Sequence, residues 1–245
     1  MRSEVKFKKH FIGLFVIVIS AIFLYGSGTT RKIVGQAKFE SKQDDLFSKE
    51  SLKKLIKENS NTTIVVRNLS GNYSNIKVSS GDPASSLINI LEKVFTKNEF
   101  IVRDRALFEK SFNASGTTDY SKMKELTNTD LILELVQISN IPFVTNVYYK
   151  NNKQVKIPSL QQPLSFTGIK IELKIIKVKE NDIVGTYTFY DSPCQEGCNV
   201  YKYLKTLYTY DPLSSQRAYE YSYDETKWET FTESVARKLI KTVKE

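Results

Sequence analysis

Histidine is nearly absent from the 245 residues: the only one, His10, stands just before an apolar N-terminal run. Beyond that leader, triads that need a histidine base and metal sites built on imidazole are excluded. Cysteine is scarce as well, with Cys194 and Cys198 the only pair, too few for a four-ligand zinc site, so no metal is expected. Neither a Gly-x-x-x-x-Gly-Lys-Ser/Thr loop nor a Gly-x-Gly-x-x-Gly fingerprint occurs; the usual backbone cradles for nucleotide phosphates are missing and no cofactor is expected. Pro and Gly number only 6 and 10 while 26% of residues are charged, which argues against disorder as the main state. With 40% hydrophobic residues the chain fills one ordinary core plus an appendage, and two globular domains would be cramped.

What is present begins with export. Arg2, Lys6, Lys8 and Lys9 precede an apolar run from Phe11 to Tyr25. As a helix that run reaches only ~22 Å against a hydrocarbon core of ~30 Å, so it reads as a secretory signal and not as a spanning anchor. Leu24-Tyr25-Gly26-Ser27-Gly28 resembles a lipobox with serine at the lipidated position. Two readings stand: Ser27 takes the place of a cysteine that would carry the lipid, or an ordinary peptidase cuts after Gly26 or Gly28. Loss of residues 1–28 lowers the net charge from +9 to about +6. Such a balance suits a solvated lysine-rich surface; no base-stacking module or recognition helix is visible, and nucleic acid is not an expected partner.

The stretch 61–138 organises the rest. Thr62 to Arg67 is a β-branched run that reads as a buried strand and stops at a turn-forming Asn68-Leu69-Ser70-Gly71-Asn72 cluster. Asp82 at N-cap and Pro83 at the first position open a helix whose Leu87, Ile90, Leu91, Val94 and Phe95 share a stripe. Phe100 to Val102 is a second strand, Asp104 caps a short helix with Leu107 and Phe108, Met123 and Leu126 mark another, and Thr129 to Gln137 is a third strand. Alternation of this kind gives a sheet with parallel pairs and helices packed on one face.

A strand ending Asn-x-Ser-Gly, a helix, Phe-x-Val-x-Asp-Arg-x-x-x-Glu from Phe100 to Glu109, a Ser115-Gly116-Thr117-x-Asp119 turn, and Thr129-Asp130-Leu131-Ile132-Leu133 together resemble the curli-production assembly/transport (CsgG-like) family and related periplasmic accessory lipoproteins. The resemblance covers about a third of the chain. It departs at Thr129, where a small residue is usual, and at Arg67, where an apolar residue or Pro is commoner. It implies a non-enzymatic role in assembly or secretion at the periplasmic face of the outer membrane. In that family two long hairpins enter the membrane and close with neighbouring subunits; here insertions at 140–168 and 187–223 occupy the corresponding positions. The first, with Pro142, Pro158, Pro163 and several lysines, fits a membrane strand of ~9–11 alternating residues poorly.

Flanking segments complete the reading. Arg31 to Asp45 reads as a polar tether, followed by an amphipathic helix from Ser48 to Lys57, with Ser48 as its cap. Phe143 to Tyr149 and Gln154 to Ile157 pair as a hairpin confined by the prolines to an edge. Ile169 to Ile175 alternates cleanly, and Ile176 to Lys179 reverses phase, which requires a bulge or a change of the buried face near Ile175. Cys194 and Cys198, close together in an exported chain, read as a loop-closing disulfide. The arms 200–210 and 217–223 form a hairpin whose Tyr201, Tyr203, Tyr219, Tyr221 and Tyr223, with Phe143 and Tyr148, are candidates for a partner or membrane surface. Trp228, Phe231, Val235, Leu239 and Val243, widened by Ala236 and Ile240, make the last helix a core element. Asn61, Asn68, Asn72 and Asn113 begin glycosylation patterns that a bacterial-type signal leaves unused.

The expected architecture is therefore α/β (α+β): a mixed sheet of about five strands with helices on one face, plus long β-hairpin insertions. A leader (1–28) and a tether with a short helix (29–60) precede one domain (61–245). Envelope proteins are the expected partners, the outer membrane is reached through a lipid if position 27 is naturally Cys, and homo-oligomers are compatible with the family. The alternative is a monomeric periplasmic accessory protein that docks on an envelope machine. An enzyme acting through Asp104, Glu109, Asp119 and Asp130 is the third reading, against which capping and pairing with Arg105 explain the same carboxylates.

Overall fold

The computed structural model describes residues 30–59, 61–68, 82–115, 120–157, 163–204, 217–219 and 225–245, with Ser159. The chain runs β1 (Thr30–Ala37), β2 (Asp45–Ser48), α1 (Glu50–Glu58), β3 (Thr63–Asn68), α2 (Pro83–Lys97), β4 (Ile101–Val102), α3 (Arg105–Ser115), α4 (Ser121–Thr127), β5 (Leu131–Thr145), β6 (Val147–Lys150), β7 (Lys153–Lys156), β8 (Leu164–Lys177), β9 (Asp182–Asp191), β10 (Cys198–Leu204), β11 (Arg217–Tyr219) and α5 (Glu225–Lys244). It divides into a larger unit, Gln36–Cys198 with Glu220–Glu245, and a smaller one that includes Asn199–Tyr219.

In the larger unit six strands form one sheet in the order β2-β9-β8-β5-β3-β4. β3 is parallel to both β4 and β5, whereas β5, β8, β9 and β2 pair antiparallel in turn. This is the mixed α+β sheet the sequence implies. Asp82 opens α2 as expected, its carboxylate accepting from the backbone N–H of Ala84 at 3.3 Å and of Ser85 at 3.1 Å. Leu87, Ile88, Leu91 and Phe95 of α2, Leu52 of α1, and Trp228, Val235, Leu239 and Val243 of α5 bury one face of the sheet, against Ile64, Val66, Leu131, Leu133, Leu173 and Ile175.

The opposite face has a cover of its own. Phe108 of α3 and Met123 of α4 close over Val65, Ile132, Ile176 and Val178. Helices thus occupy both faces, because side chains alternate along a strand and β3 and β5 are apolar in both phases. Leu107 and Leu126, which sequence spacing groups with Phe108 and Met123, are 66% and 61% exposed.

Further differences are local. The polar tether carries most of β1, and β2 begins at its last residue and pairs with β9 through Asp45↔Thr188 to Ser48↔Gly185. Ser48 does not cap α1, whose N-cap is Lys49 without a side-chain bond; its hydroxyl lies 2.7 Å from that of Tyr187. The phase reversal in β8 is a change of the buried face, not a bulge in that strand: Ile175 faces the main core while Ile176 and Val178 face the α3–α4 layer, and the one extra residue opposite this point is Val184 of β9.

β5 and β8 keep continuous register from Ile138↔Ile171 to Thr145↔Leu164, and beyond Ile169, where the pairing with β9 ends, they run on as a two-stranded arm. Along it the buried face changes over. Ile138, Ile169 and Ile171 belong to the main core, but beyond them Pro142 and Val144 are exposed while Leu164, Phe166 and Gly168, on the other face, are buried. Phe39 makes this second contact, its ring 5.7 Å from Phe143 and 5.3 Å from Phe166 in edge-to-face geometry. Gly168 has no room for a side chain, since a Cβ there would stand 2.5 Å from both the Asp191 carbonyl oxygen and the Phe143 ring. Pro142 is tolerated because the pairing of β3 with β5 ends at Leu135. Past the arm, β6 and β7 form the expected hairpin in shortened form, Phe143 to Thr145 staying paired with β8.

In the smaller unit β10 and β11 are antiparallel, Val200 opposite Tyr219 and Lys202 opposite Arg217.

Candidate functional site

Two strand residues break an apolar pattern with charge. Arg67 ends the run Thr63-Ile64-Val65-Val66, Glu134 interrupts Leu131-Ile132-Leu133-Glu134-Leu135, and the parallel register places them side by side. Their side chains are only 9% and 0% exposed. An isolated buried charge is costly, so each demands partners. Arg67 donates from Nε and Nη2 to the two oxygens of Glu109 on α3, at 2.9 and 3.2 Å. Its Nη1 donates to the Tyr120 hydroxyl at 2.7 Å and, at 3.4 Å, to Glu134 Oε1. The Tyr120 hydroxyl in turn donates to Glu134 Oε1 at 2.5 Å. Glu134 Oε2 faces Lys174 Nζ at 2.7 Å as an ion pair not aligned as a hydrogen bond. Phe112 lies under the guanidinium, 4.8 Å from ring centre to Cζ, and stacks on Tyr120 at 5.2 Å.

Burial, followed by the Glu134 carboxylate, pushes the Tyr120 hydroxyl well above its ordinary pKa. It stays a protonated donor throughout the physiological range. Two cations, Arg67 and Lys174, meet two carboxylates, Glu109 and Glu134, so the cluster balances its own charge. Its chemistry is that of a clamp between the sheet and the α3–α4 layer.

Asp130 makes a second clamp. Its carboxylate accepts from the Thr63 backbone N–H at 2.9 Å, the Thr63 hydroxyl at 2.7 Å and Lys124 Nζ at 2.5 Å. Burial works to raise its pKa, but Lys124 and Thr63 outweigh that and hold it below the ordinary value of 3.8. Stability from this group is therefore fully present above the unfolded pKa and lost as pH falls from there through the folded one. Unfolding midpoints measured between pH 6 and pH 2 should show a smaller acid-side loss for Asp130→Asn than for the parent chain. An equal loss would place Asp130's bonds elsewhere.

The other sequence candidates are dispersed. Asp104 accepts from the Leu107 backbone N–H at 2.8 Å, the cap the sequence implies. Glu109 pairs with Arg67 where the sequence reading gave the carboxylates to Arg105, because the strand beside α3 brings Arg67 across 42 residues of chain. Asp119, Ser27, Tyr221 and Tyr223 lie outside the described residues. The backbones of Tyr201 and Tyr203 lie in β10 and that of Tyr219 in β11; the register sets Tyr219 opposite Val200 and Tyr201 opposite Ala218. Phe143 is half-buried beneath Phe39, and Tyr148 is half-buried on β6 opposite Val155. Cys194 and Cys198 are joined as a disulfide.

Sequence reasoning passed over Glu134 as a binding element, although the signal was there: opposite charges embedded in two apolar strand runs. Among the described residues no three His, Cys, Asp or Glu side chains converge as metal ligands. A hollow lined by Ile56, Asn59, Thr62, Asn98, Phe100 and Lys244 holds about 60 Å³, room for about two water molecules and far below the ~300 Å³ at which small-molecule sites begin. No helix among the described residues is long and apolar enough to cross a membrane.

Fold and site together define an α+β protein whose one mixed sheet is pinned by internal ion pairs. No family model matches the chain, and no curated protein matches it. Among solved structures it is similar to the PelC dodecamer from Paraburkholderia phytofirmans, at 10% identity over 82% of this chain and 98% of that one, with a TM-score of 0.37. A neuraminyllactose-binding hemagglutinin homolog from Helicobacter pylori matches at 10% identity over 85% and 96%, TM-score 0.40. The lipoprotein GNA1162 from Neisseria meningitidis matches at 11% over 53% and 78%, TM-score 0.31.

Proposed function

We propose that this chain is a non-enzymatic, exported envelope protein, a CsgG-like scaffold acting in assembly or secretion at the periplasmic face of the outer membrane. The observation that carries the reading is the employment of its motif residues. Asp104 caps α3, Glu109 holds Arg67, and Asp130 ties the start of β3 to α4, so each of these three spends its charge on the scaffold and none points to a reaction centre. Arg67, the departure from the family pattern, is the hub of the same clamp. The basic leader with its lipobox-like end and the Cys194–Cys198 disulfide support an oxidising compartment.

The full-length chain with Ser27→Cys, produced in a Gram-negative host, is expected to take up labelled lipid, fractionate with the outer membrane and run in mild detergent as a closed ring. A lipidated monomer that co-purifies with an envelope protein assigns the accessory role instead. Unlabelled protein in the cytoplasm overturns both.

A further inference from the structure

We propose that the β6–β7 hairpin is a peripheral docking site for anionic phospholipid headgroups. The 37 residues from 135 to 171 contain no Asp or Glu and four lysines, in a chain that is otherwise rich in both signs. Three of these, Lys150, Lys153 and Lys156, are exposed on the hairpin and make no ion pair with a described residue. The neighbouring lysines of β8 differ: Lys170 pairs with Glu172, Lys174 with Glu134 and Lys177 with Glu180. Lys150 and Lys153 stand directly opposite each other across a turn whose Asn151 and Asn152 have φ of 50° and 60°. Two like charges in that position repel, and an anion bound between them removes the repulsion. Tyr148, on the face of Lys150 and Lys153, and Tyr149, on the other, supply half-buried rings with polar tips, the side chain suited to a headgroup layer.

Position in the chain favours a lipid surface over another polyanion. β6 pairs with β1 at Gln36↔Tyr149, and Gln36 stands nine positions after position 27. A lipid at 27 would hold the hairpin within ~30 Å of the bilayer, the reach of nine extended residues. The strands have four residues each against the ~9–11 needed to cross, so the hairpin rests on the surface and does not span it. The choice of a lipid over another polyanion rests on the reading of export and of a lipid at position 27; fractionation tests that reading, whereas the experiment below uses purified protein and tests the hairpin by itself.

The full chain is bound to vesicles of phosphatidylcholine alone or with 30% phosphatidylglycerol, and acetylation of Lys150, Lys153 and Lys156 is followed by mass spectrometry with amide exchange over 147–156. We expect labelling to slow by about fivefold per lysine in the anionic vesicles only, and 0.5 M salt to abolish the difference. The variant Lys150→Gln/Lys153→Gln/Lys156→Gln should lose the lipid-dependent exchange protection of the hairpin while α5 amides stay as protected as in the parent, which separates lost docking from lost folding. Equal labelling in both vesicles overturns the proposal. So does protection by soluble polyglucuronate with none from phosphatidylglycerol, which would give the hairpin to an acidic glycan.

Discussion

Arg67→Ala is expected to lower the unfolding free energy by about 3–5 kcal/mol, the cost of leaving a buried charge without its partner. The loss falls on Glu134, whose side chain is fully buried and would retain only Tyr120 and Lys174, the latter 27% exposed and partly screened. Glu109 would suffer less, since it is 31% exposed and can turn to water. The test of mechanism is the combination Arg67→Met/Glu134→Leu. If the clamp serves specificity of packing more than stability, removing both buried charges restores most of the loss, because desolvation of each ion is then avoided. Chemical denaturation of the parent, the single and the double variant decides it. A double variant as unstable as Arg67→Ala would mean the apolar replacements do not fit beneath Phe112.

Trp228→Ala should cost a similar ~3–5 kcal/mol through lost burial and the cavity left behind. The indole is fully buried between α5 and the sheet core, 6.5 Å from the Phe231 ring, and donates from Nε1 to the Ser86 hydroxyl of α2 at 3.3 Å. Trp228→Phe should keep most of the stability. Leu107→Ala and Leu126→Ala, equally apolar in sequence but exposed, should shift the unfolding midpoint little, within about 0.5 kcal/mol. If all four behave alike, the division between core and surface described for these helices is wrong.

That contrast also shows what the sequence could and could not reveal. The α5 stripe was legible because seven apolar residues repeat over five turns, and every one of them is buried. Asp82-Pro83 and the phase reversal at Ile175 were legible because cap chemistry and the two-residue period act locally. α3 and α4 were harder: each is short, and Leu107-Phe108 offers two apolar neighbours that point to different sides. Which one is buried depends on Val65 and Ile132, apolar in a phase that the main core does not use. β2 was missed because four polar-flanked residues carry no period of their own, and their pairing with β9 joins positions over 130 residues apart. The Arg67 clamp shares that difficulty. Each charge was visible alone, but only the parallel register of β3 and β5 says that the two are adjacent.

The changeover of buried faces along β5 and β8 bears on how faithfully these strands find each other. A one-residue slip in an ordinary hairpin misplaces a single apolar row. Here a slip of β8 would turn Leu173 and Ile175 away from the helices at one end and, at the other, swing Phe166 out from under Phe39. Misaligned pairings are thus penalised at both ends of the same ladder, so these two long strands carry their own proofreading against out-of-step assembly.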